Sequence, residues 1–187
     1  MNKKELRKLY REKRSELQPN EKDKLEDLLL IRFQKLNIEI PAIIMTYAPF
    51  ENEFAPELIT DYCYFKNPAQ QLCYPVVDTF NNTMNAMLVD ENTDFSYSKF
   101  GVAEPVGGSL ILPSEIDMLI VPLLAFDQKG YRVGYGKGYY DMFLKECRKD
   151  AIKIGFSFFE AETAIDDINI YDVKLDHCIT TLNIYNF

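Results

Sequence analysis

Met118-Leu119-Ile120-Val121-Pro122-Leu123-Leu124-Ala125-Phe126, bounded by Asp117 and Asp127, is the most apolar stretch of the chain. It is too short to cross a bilayer. It suits a central strand, and Pro122, which lacks an N–H, marks an irregularity or the end of pairing. Downstream comes the glycine-rich run Arg132-Val133-Gly134-Tyr135-Gly136-Lys137-Gly138-Tyr139-Tyr140-Asp141. A helix bearing Tyr140, Phe143, Leu144 and Cys147 follows it, and Ile152–Phe158 and Cys178–Leu182 read as strands. Upstream, Leu6, Leu9, Tyr10 and Leu17 recur at helical spacing over residues 3–17. Pro19-Asn20 stops that helix and offers an N-cap for a second one carrying Leu25, Leu28, Leu29, Phe33 and Leu36. Ala42–Tyr47 is a short apolar strand, followed by the loop Ala48–Glu53. Pro56 then opens a helix whose apolar face is Leu58, Ile59, Tyr62 and Phe65. Gln71–Val77 and Asn85–Val89 read as strands joined by a turn at Asn81-Asn82. Strands alternating with helices predict an α/β fold. We expect a three-layer sandwich in which helices flank a central, substantially parallel sheet. We expect residues 1–187 to form one domain, and ligands of such sheets bind beyond the carboxyl ends of the strands.

Composition narrows the function. The chain is 47% hydrophobic and 27% charged, as globular proteins are. Its net charge of −8 argues against whole-chain nucleic-acid binding, which needs a basic surplus, but a small anionic substrate needs only a few local cations. The amino-terminal segment is charged and amphipathic, without a signal-peptide core, and no run is long enough to span a membrane. We therefore expect a cytoplasmic protein with no membrane partner. Cys63, Cys73, Cys147 and Cys178 lack C-x-x-C spacing, and His177 is the single histidine, so zinc and histidine-rich metal sites are not signalled.

Gly130, Gly134, Gly136 and Gly138 are four of eight glycines, gathered within nine positions. Successive N–H groups in such a run can converge on phosphate oxygens, and the following helix adds its amino-terminal dipole. Arg132 and Lys137 supply positive charge, the first as a fork and the second as a mobile point charge. The run departs from the P-loop pattern because Tyr139 follows Gly138. The spacing alone fits either a phosphate cradle or a tight strand-to-helix turn. Asp141 fits either a Mg²⁺ ligand beside phosphates or an ordinary first-turn acid.

Val121-Pro122-Leu123-Leu124-Ala125-Phe126-Asp127, with Gly130, Arg132 and Gly134–Asp141, closely resembles the signature of the 5-formyltetrahydrofolate cyclo-ligases. Lys4-Glu5-Leu6-Arg7, with Arg14 beyond, is similar to that family's opening basic helix. Tyr47-Ala48-Pro49 with Glu53 resembles its folate loop, Gly101-Val102-Ala103-Glu104-Pro105 its G-[IV]-x-E-P segment, and Leu175-Asp176 its late aspartate. The resemblance implies that ATP is contacted by Lys3, Lys4, Glu5, Leu6 and Arg7, and by Arg132, Val133, Gly134, Tyr135, Gly136, Lys137, Gly138, Tyr139 and Tyr140. It implies a folate site at Ala48, Glu53, Tyr135, Gly136, Lys137, Gly138 and Tyr139. Mg²⁺ would sit on Asp141 and Asp176, and Lys4, Arg132 and Lys137 would neutralise the transferring phosphoryl group. The chain departs from the family at Phe54-Ala55 and at Phe100, where some members carry tryptophan.

The implied reaction consumes ATP and 5-formyltetrahydrofolate and yields 5,10-methenyltetrahydrofolate, ADP and phosphate. Phosphorylation of the formyl oxygen would make the carbon electrophilic and the oxygen a leaving group. The folate's own N10 would then close the ring, so no protein nucleophile is needed. A monomer is the expected state. The rival classes are another phosphotransferase built on the same loop, and a non-catalytic nucleotide or folate binder.

Overall fold

The computed structural model describes residues 1–187. Helix α1 (Lys3–Ser15) starts at a capping box in which Asn2 and Glu5 exchange side-chain and backbone hydrogen bonds, each of 3.0 Å. Helix α2 (Pro19–Leu36) places Pro19 in its first turn, and the cap residue is Gln18 rather than Asn20. Proline's missing N–H is harmless at that point, so the helix begins two residues earlier than the Asn20 cap predicts. The remaining elements are β1 (Ile43–Met45), α3 (Glu57–Lys66), β2 (Gln71–Asp78), β3 (Thr83–Val89), β4 (Asp94–Tyr97), β5 (Ala103–Val106), β6 (Ser109–Ile111), β7 (Met118–Val121), β8 (Ala125–Phe126), β9 (Arg132–Val133), α4 (Tyr139–Glu146), β10 (Ile152–Ser157), β11 (His177–Thr180) and β12 (Ile184–Asn186).

Eight strands form one sheet in the order β12-β11-β10-β7-β1-β2-β3-β6. The run from β11 to β2 is parallel throughout. Strands β12, β3 and β6 join antiparallel at the edges. The expected three-layer α/β sandwich is therefore present. Strand β7 lies at its centre with all four residues buried, as a strand covered on both faces requires. Its side chains alternate between the two faces. Leu119 and Val121 join Phe143 and Leu144 of α4, and Met118 and Ile120 join Leu29 and Phe33 of α2 and Ile59 and Cys63 of α3. Helix α3 buries Ile59, Thr60 and Cys63, leaving Phe65 79% exposed, so its inner face is rotated from the one that Leu58, Ile59, Tyr62 and Phe65 suggest.

The apolar run is not one strand. Pairing with β10 ends at Val121, immediately before Pro122. The chain then leaves the sheet, and Ala125-Phe126 pair with Arg132-Val133 in a separate hairpin. Asp127, fully buried, holds that turn: Oδ1 accepts from Lys129 N at 2.9 Å and Tyr131 N at 3.0 Å, and Oδ2 accepts from Ile165 N at 3.2 Å. Helix α1 lies on this hairpin through Leu6 and Tyr10, which pack with Leu124, Ala125, Val133 and Ile165. A second small hairpin, β4–β5, stands beside β2.

On the α2/α3 face, Phe156 stacks on Phe54 with centroids 4.7 Å apart and meets Phe33 edge-on at 5.8 Å. Truncating it leaves a cavity between the sheet and two helices. Phe156→Ala is expected to lower unfolding free energy by about 3–5 kcal/mol in urea titration, with the fold otherwise retained.

Candidate active site

A cavity of about 570 Å³ opens beyond the carboxyl end of β7, with Pro122 in its wall. That is where a parallel sheet leaves room for a ligand. Three segments distant in sequence close around it: one face of α1, the glycine-rich run, and the loops near β1, β2 and β5.

On one side stand cations. Lys3, Arg7 and Arg11 recur every four residues on α1, so they share one helical face, and all three line the cavity. Arg7 donates from Nε to the Gly134 carbonyl at 2.8 Å. Lys3 is paired with Asp172, Nζ to Oδ2 at 2.5 Å, and its backbone N–H donates to Asp167 Oδ1 at 2.7 Å. Arg132 is buried behind this wall. It donates from Nη1 to the Val173 carbonyl at 2.7 Å, and Nη2 lies 3.1 Å from Asp141 Oδ1. Burial pulls its pKa below the usual guanidinium range, and Asp141 opposes that shift. The same Asp141 oxygen accepts from Val173 N at 3.1 Å, which leaves Oδ2 without a partner in the protein.

On the other side stand aromatic and apolar groups: Phe50, Pro75, Val77, Met84, Phe100, Val102 and Tyr139, with Glu104 among them. Phe50 meets Tyr135 edge-on at 6.0 Å, and Phe100 leans on Tyr139 at 6.4 Å. The glycine-rich run forms the partition. Gly136 has φ +95°, and a Cβ there would lie 3.1 Å from the Arg7 guanidinium carbon. Gly138, at φ +77°, is the left-handed cap of α4. Both positions favour residues without a side chain. Lys137, between them, has its Nζ 5.8 Å from the centre of the Phe100 ring.

Beneath the partition lies a buried charged network. Arg14 donates to the Leu123 carbonyl and to Tyr135 Oη, the latter at 3.3 Å, and its Nη1 is 3.9 Å from Glu53 Oε1. Glu53 Oε2 accepts from Phe50 N at 2.8 Å, closing the loop after β1. Burial pushes the Glu53 carboxyl above its usual pKa, against the lowering effects of the Phe50 N–H, Tyr135 and Arg14. The Tyr140 hydroxyl, enclosed nearby, has no partner, and burial keeps it protonated.

The sequence profile of the 5-formyltetrahydrofolate cyclo-ligase family matches residues 1–181. The chain belongs to the 5-formyltetrahydrofolate cyclo-ligase family. It is 32% identical to the 5-formyltetrahydrofolate cyclo-ligase of Mycoplasma genitalium across 94% of this chain and 96% of that one. The solution structure of Aquifex aeolicus 5,10-methenyltetrahydrofolate synthetase superposes with a TM-score of 0.81 at 29% identity, covering 100% of this chain and 93% of that one. A 5,10-methenyltetrahydrofolate synthetase from Mycoplasma pneumoniae gives 0.73 at 27% identity, covering 96% and 98%. The chain is thus an enzyme of the ligase class.

Within this cyclo-ligase fold the family-derived positions divide. Lys3, Arg7, Ala48, Glu53, Arg132, Gly134 to Tyr140 and Asp141 line the cavity. Lys4, Glu5, Leu6, Val133 and Asp176 do not. Lys4 is exposed, because it lies one residue, and so about 100° of helix, from Lys3. Glu5 is spent in the capping box, and Leu6 and Val133 belong to the core beneath α1. Asp176 precedes β11 at the amino end of the parallel sheet, where Oδ2 lies 2.7 Å from both the N–H and the Nζ of Lys153. The pair Asp141–Asp176 is therefore not assembled at the cavity, and the late carboxylates that do line it are Asp167 and Asp172. Arg11 and Glu104 line it without having been singled out. For Arg11 the four-residue recurrence with Lys3 and Arg7 carried the signal. For Glu104 only contact across strands reveals the position.

Gly136→Ala places a methyl group against Arg7 in a backbone conformation that L residues disfavour. It is expected to lower unfolding free energy by about 1–3 kcal/mol in urea titration, because the position is strained for an L residue. Glu53 offers a test by pH. An acid whose folded pKa lies above its unfolded value binds its proton more tightly when folded, so ionisation opposes folding as pH rises through the folded pKa. Relative to wild type, Glu53→Gln is expected to gain stability as pH rises above the ordinary carboxyl range, measured by urea unfolding over a series of pH values.

Proposed function

We propose that the cavity holds ATP and 5-formyltetrahydrofolate together and converts them to 5,10-methenyltetrahydrofolate, ADP and phosphate. One observation carries this reading: the glycine-rich partition, with Lys137 at its tip, stands between a cationic wall and an aromatic one. A polyphosphate suits the first wall and a flat heteroaromatic ring the second.

In this reading Arg7 and Arg11 face the phosphates from α1. Lys3 leaves Asp172 to join them. Lys137 follows the γ-phosphoryl group as it moves to the formyl oxygen, forming the O–P bond and releasing ADP. N10 then attacks the formyl carbon. The C–O bond breaks with its electron pair leaving on phosphate, and the N10 proton is lost. The protein's work is alignment and charge compensation. Arg132 acts by holding Asp141 in place. Mg²⁺ takes one or two carboxylates together with phosphate oxygens, which fits the unpartnered Oδ2 of Asp141, and when bound it supplies further charge neutralisation. Lys4 and Asp176, being outside the cavity, have no part in this scheme. All four cysteines are free thiols, which suits a reducing compartment, and the reading keeps the protein a cytoplasmic monomer acting on small molecules. No helix is long and apolar enough to cross a membrane.

The test is incubation with Mg-ATP and 5-formyltetrahydrofolate, following the near-UV absorbance of the methenyl product. The expected result is an ATP-dependent rise matched by ADP release. Folded protein that binds ATP and gives no such rise would refute the reading. Lys137→Ala is expected to lower kcat by roughly 100-fold with the fold intact, and unchanged kinetics would remove this lysine from the mechanism.

A further inference from the structure

Five cations line the cavity, and they differ in what already holds them. Lys3 is paired with Asp172, Arg7 donates to the Gly134 carbonyl, and Arg132 donates to the Val173 carbonyl and meets Asp141. Lys137 stands at the tip of the partition, near the Phe100 ring. Arg11, exposed on α1, is paired with no carboxylate or carbonyl, and its guanidinium carbon lies 5.6 Å from the centre of the Tyr135 ring. An arginine placed there has two separate surfaces to offer. Its guanidinium is flat, so one face rests on an aromatic ring while the N–H groups on its edge stay free for phosphate oxygens.

Tyr135 passes the contact on. Its ring meets Phe50 edge-on at 6.0 Å, and its hydroxyl accepts from Arg14 at 3.3 Å. Phe50 in turn lies against the backbone of Gly101, where a Cβ would be 3.4 Å from its Cε2. Gly101 is flanked by Phe100 and Val102, which line the aromatic side. A row of contacts therefore runs from α1 to the aromatic wall, with Tyr135 as its middle member. Packing does not fix this row on every side. A second, smaller cleft of about 50 Å³ is also lined by Arg11, Phe50 and Tyr135, so the three side chains border open space in two places.

Arg7 is unsuited to the same part. Its Nε is committed to a backbone carbonyl and its guanidinium abuts Gly136, so it braces the main chain of the partition. A polyphosphate that engages the edge of Arg11 fixes a side chain otherwise held by one ring alone. Arg11 then steadies Tyr135, and Tyr135 steadies Phe50. The side-chain freedom of the row is lost once, and the second ligand meets a wall already ordered.

We propose that Arg11 is a positioning residue that couples the two halves of the cavity. The edge of its guanidinium takes a phosphate oxygen while its face stays on Tyr135, so each ligand tightens the binding of the other. The inference rests on the two-substrate reading given above. That reading uses the charge of Arg11; the coupling uses its flat face.

The experiment measures binding without turnover. Isothermal titration of the full chain gives the affinity for 5-formyltetrahydrofolate alone and in the presence of saturating Mg²⁺ and the β,γ-imido analogue of ATP. The reverse titration gives the affinity for the analogue with and without saturating folate. Wild type is expected to bind each ligand roughly 5- to 20-fold more tightly in the presence of the other, by the same factor in both directions. Arg11→Ala is expected to bind the analogue more weakly and to show a factor of about one, with its affinity for folate alone within about twofold of wild type. Arg11→Lys is expected to recover part of the analogue affinity, because the charge is restored, and still to show a factor of about one, because the flat face is not. Arg11 is exposed, so neither substitution opens a hole in the core. Absence of coupling in wild type, or the wild-type factor retained in either variant, overturns the role of Arg11 and leaves the cyclo-ligase reading standing. Wild-type protein that binds the analogue but no folate overturns the cyclo-ligase reading itself.

Discussion

The cavity exists because the chain cannot continue strand β7 past Val121. Pro122 has no N–H to give the ladder, so the backbone turns out of the sheet at its centre, just after the last pairing with β10 at Val121 and two residues beyond the last pairing with β1 at Leu119. That departure exposes carbonyls that a longer strand would have used. Helix α1 is bound to two of the carbonyls on the diverging path, by Arg14 at Leu123 and by Arg7 at Gly134. Leu124 N donates to the Val133 carbonyl at 2.7 Å, and buried Asp127 ties the hairpin turn to Ile165. A break in one strand thus produces a crevice, a hairpin that presents the glycine-rich run, and docking points for a basic helix that would otherwise repel itself.

Charge is distributed with the same economy. A chain of net charge −8 gathers Lys3, Arg7, Arg11, Arg132 and Lys137 around a single cavity. Several of these cations already have carboxylates: Lys3 has Asp172, and Arg132 has Asp141. Arg132 is too deeply buried to move, so its pairing with Asp141 is a fixed support. Lys3 is held by Asp172 on the loop before β11, in a pair whose two side chains are almost equally covered. Such pairs compensate part of the positive charge gathered at the cavity.

The two departures from the family pattern have different consequences. Phe54 is 1% exposed and stacks on Phe156 in the core between the sheet and α2, so it contributes to stability and does not reach the ligand cavity. Phe100 does line the cavity, leaning on Tyr139 and lying near Lys137, and it offers a flat face where some members have a larger one.

The local features were legible because they depend on local physics. The unbroken apolarity of Met118–Val121, the helical spacing of Leu6 and Tyr10, the left-handed glycines and the break at Pro122 each reflect constraints within a few residues, and together they specified the α/β sandwich and the place of the glycine-rich run. The edge strand β12 and the β4–β5 hairpin lacked such a signal, since short strands take their stability from partners far along the chain. The site was legible only in part for the same reason. Lys4 and Lys3 are indistinguishable as letters, yet one helical step puts Lys3 on the cavity and Lys4 in solvent. Asp176 and Asp172 lie four residues apart on one segment, yet the register of β11 against β10 carries the first to Lys153 and leaves the second facing the cavity. Sequence alone determined which chemistry the chain carries, because residue types and backbone-permissive glycines are intrinsic to it. Which lysine and which late aspartates face the cavity was decided by tertiary structure, because orientation follows from helix phase, strand register and packing between segments that the sequence leaves far apart.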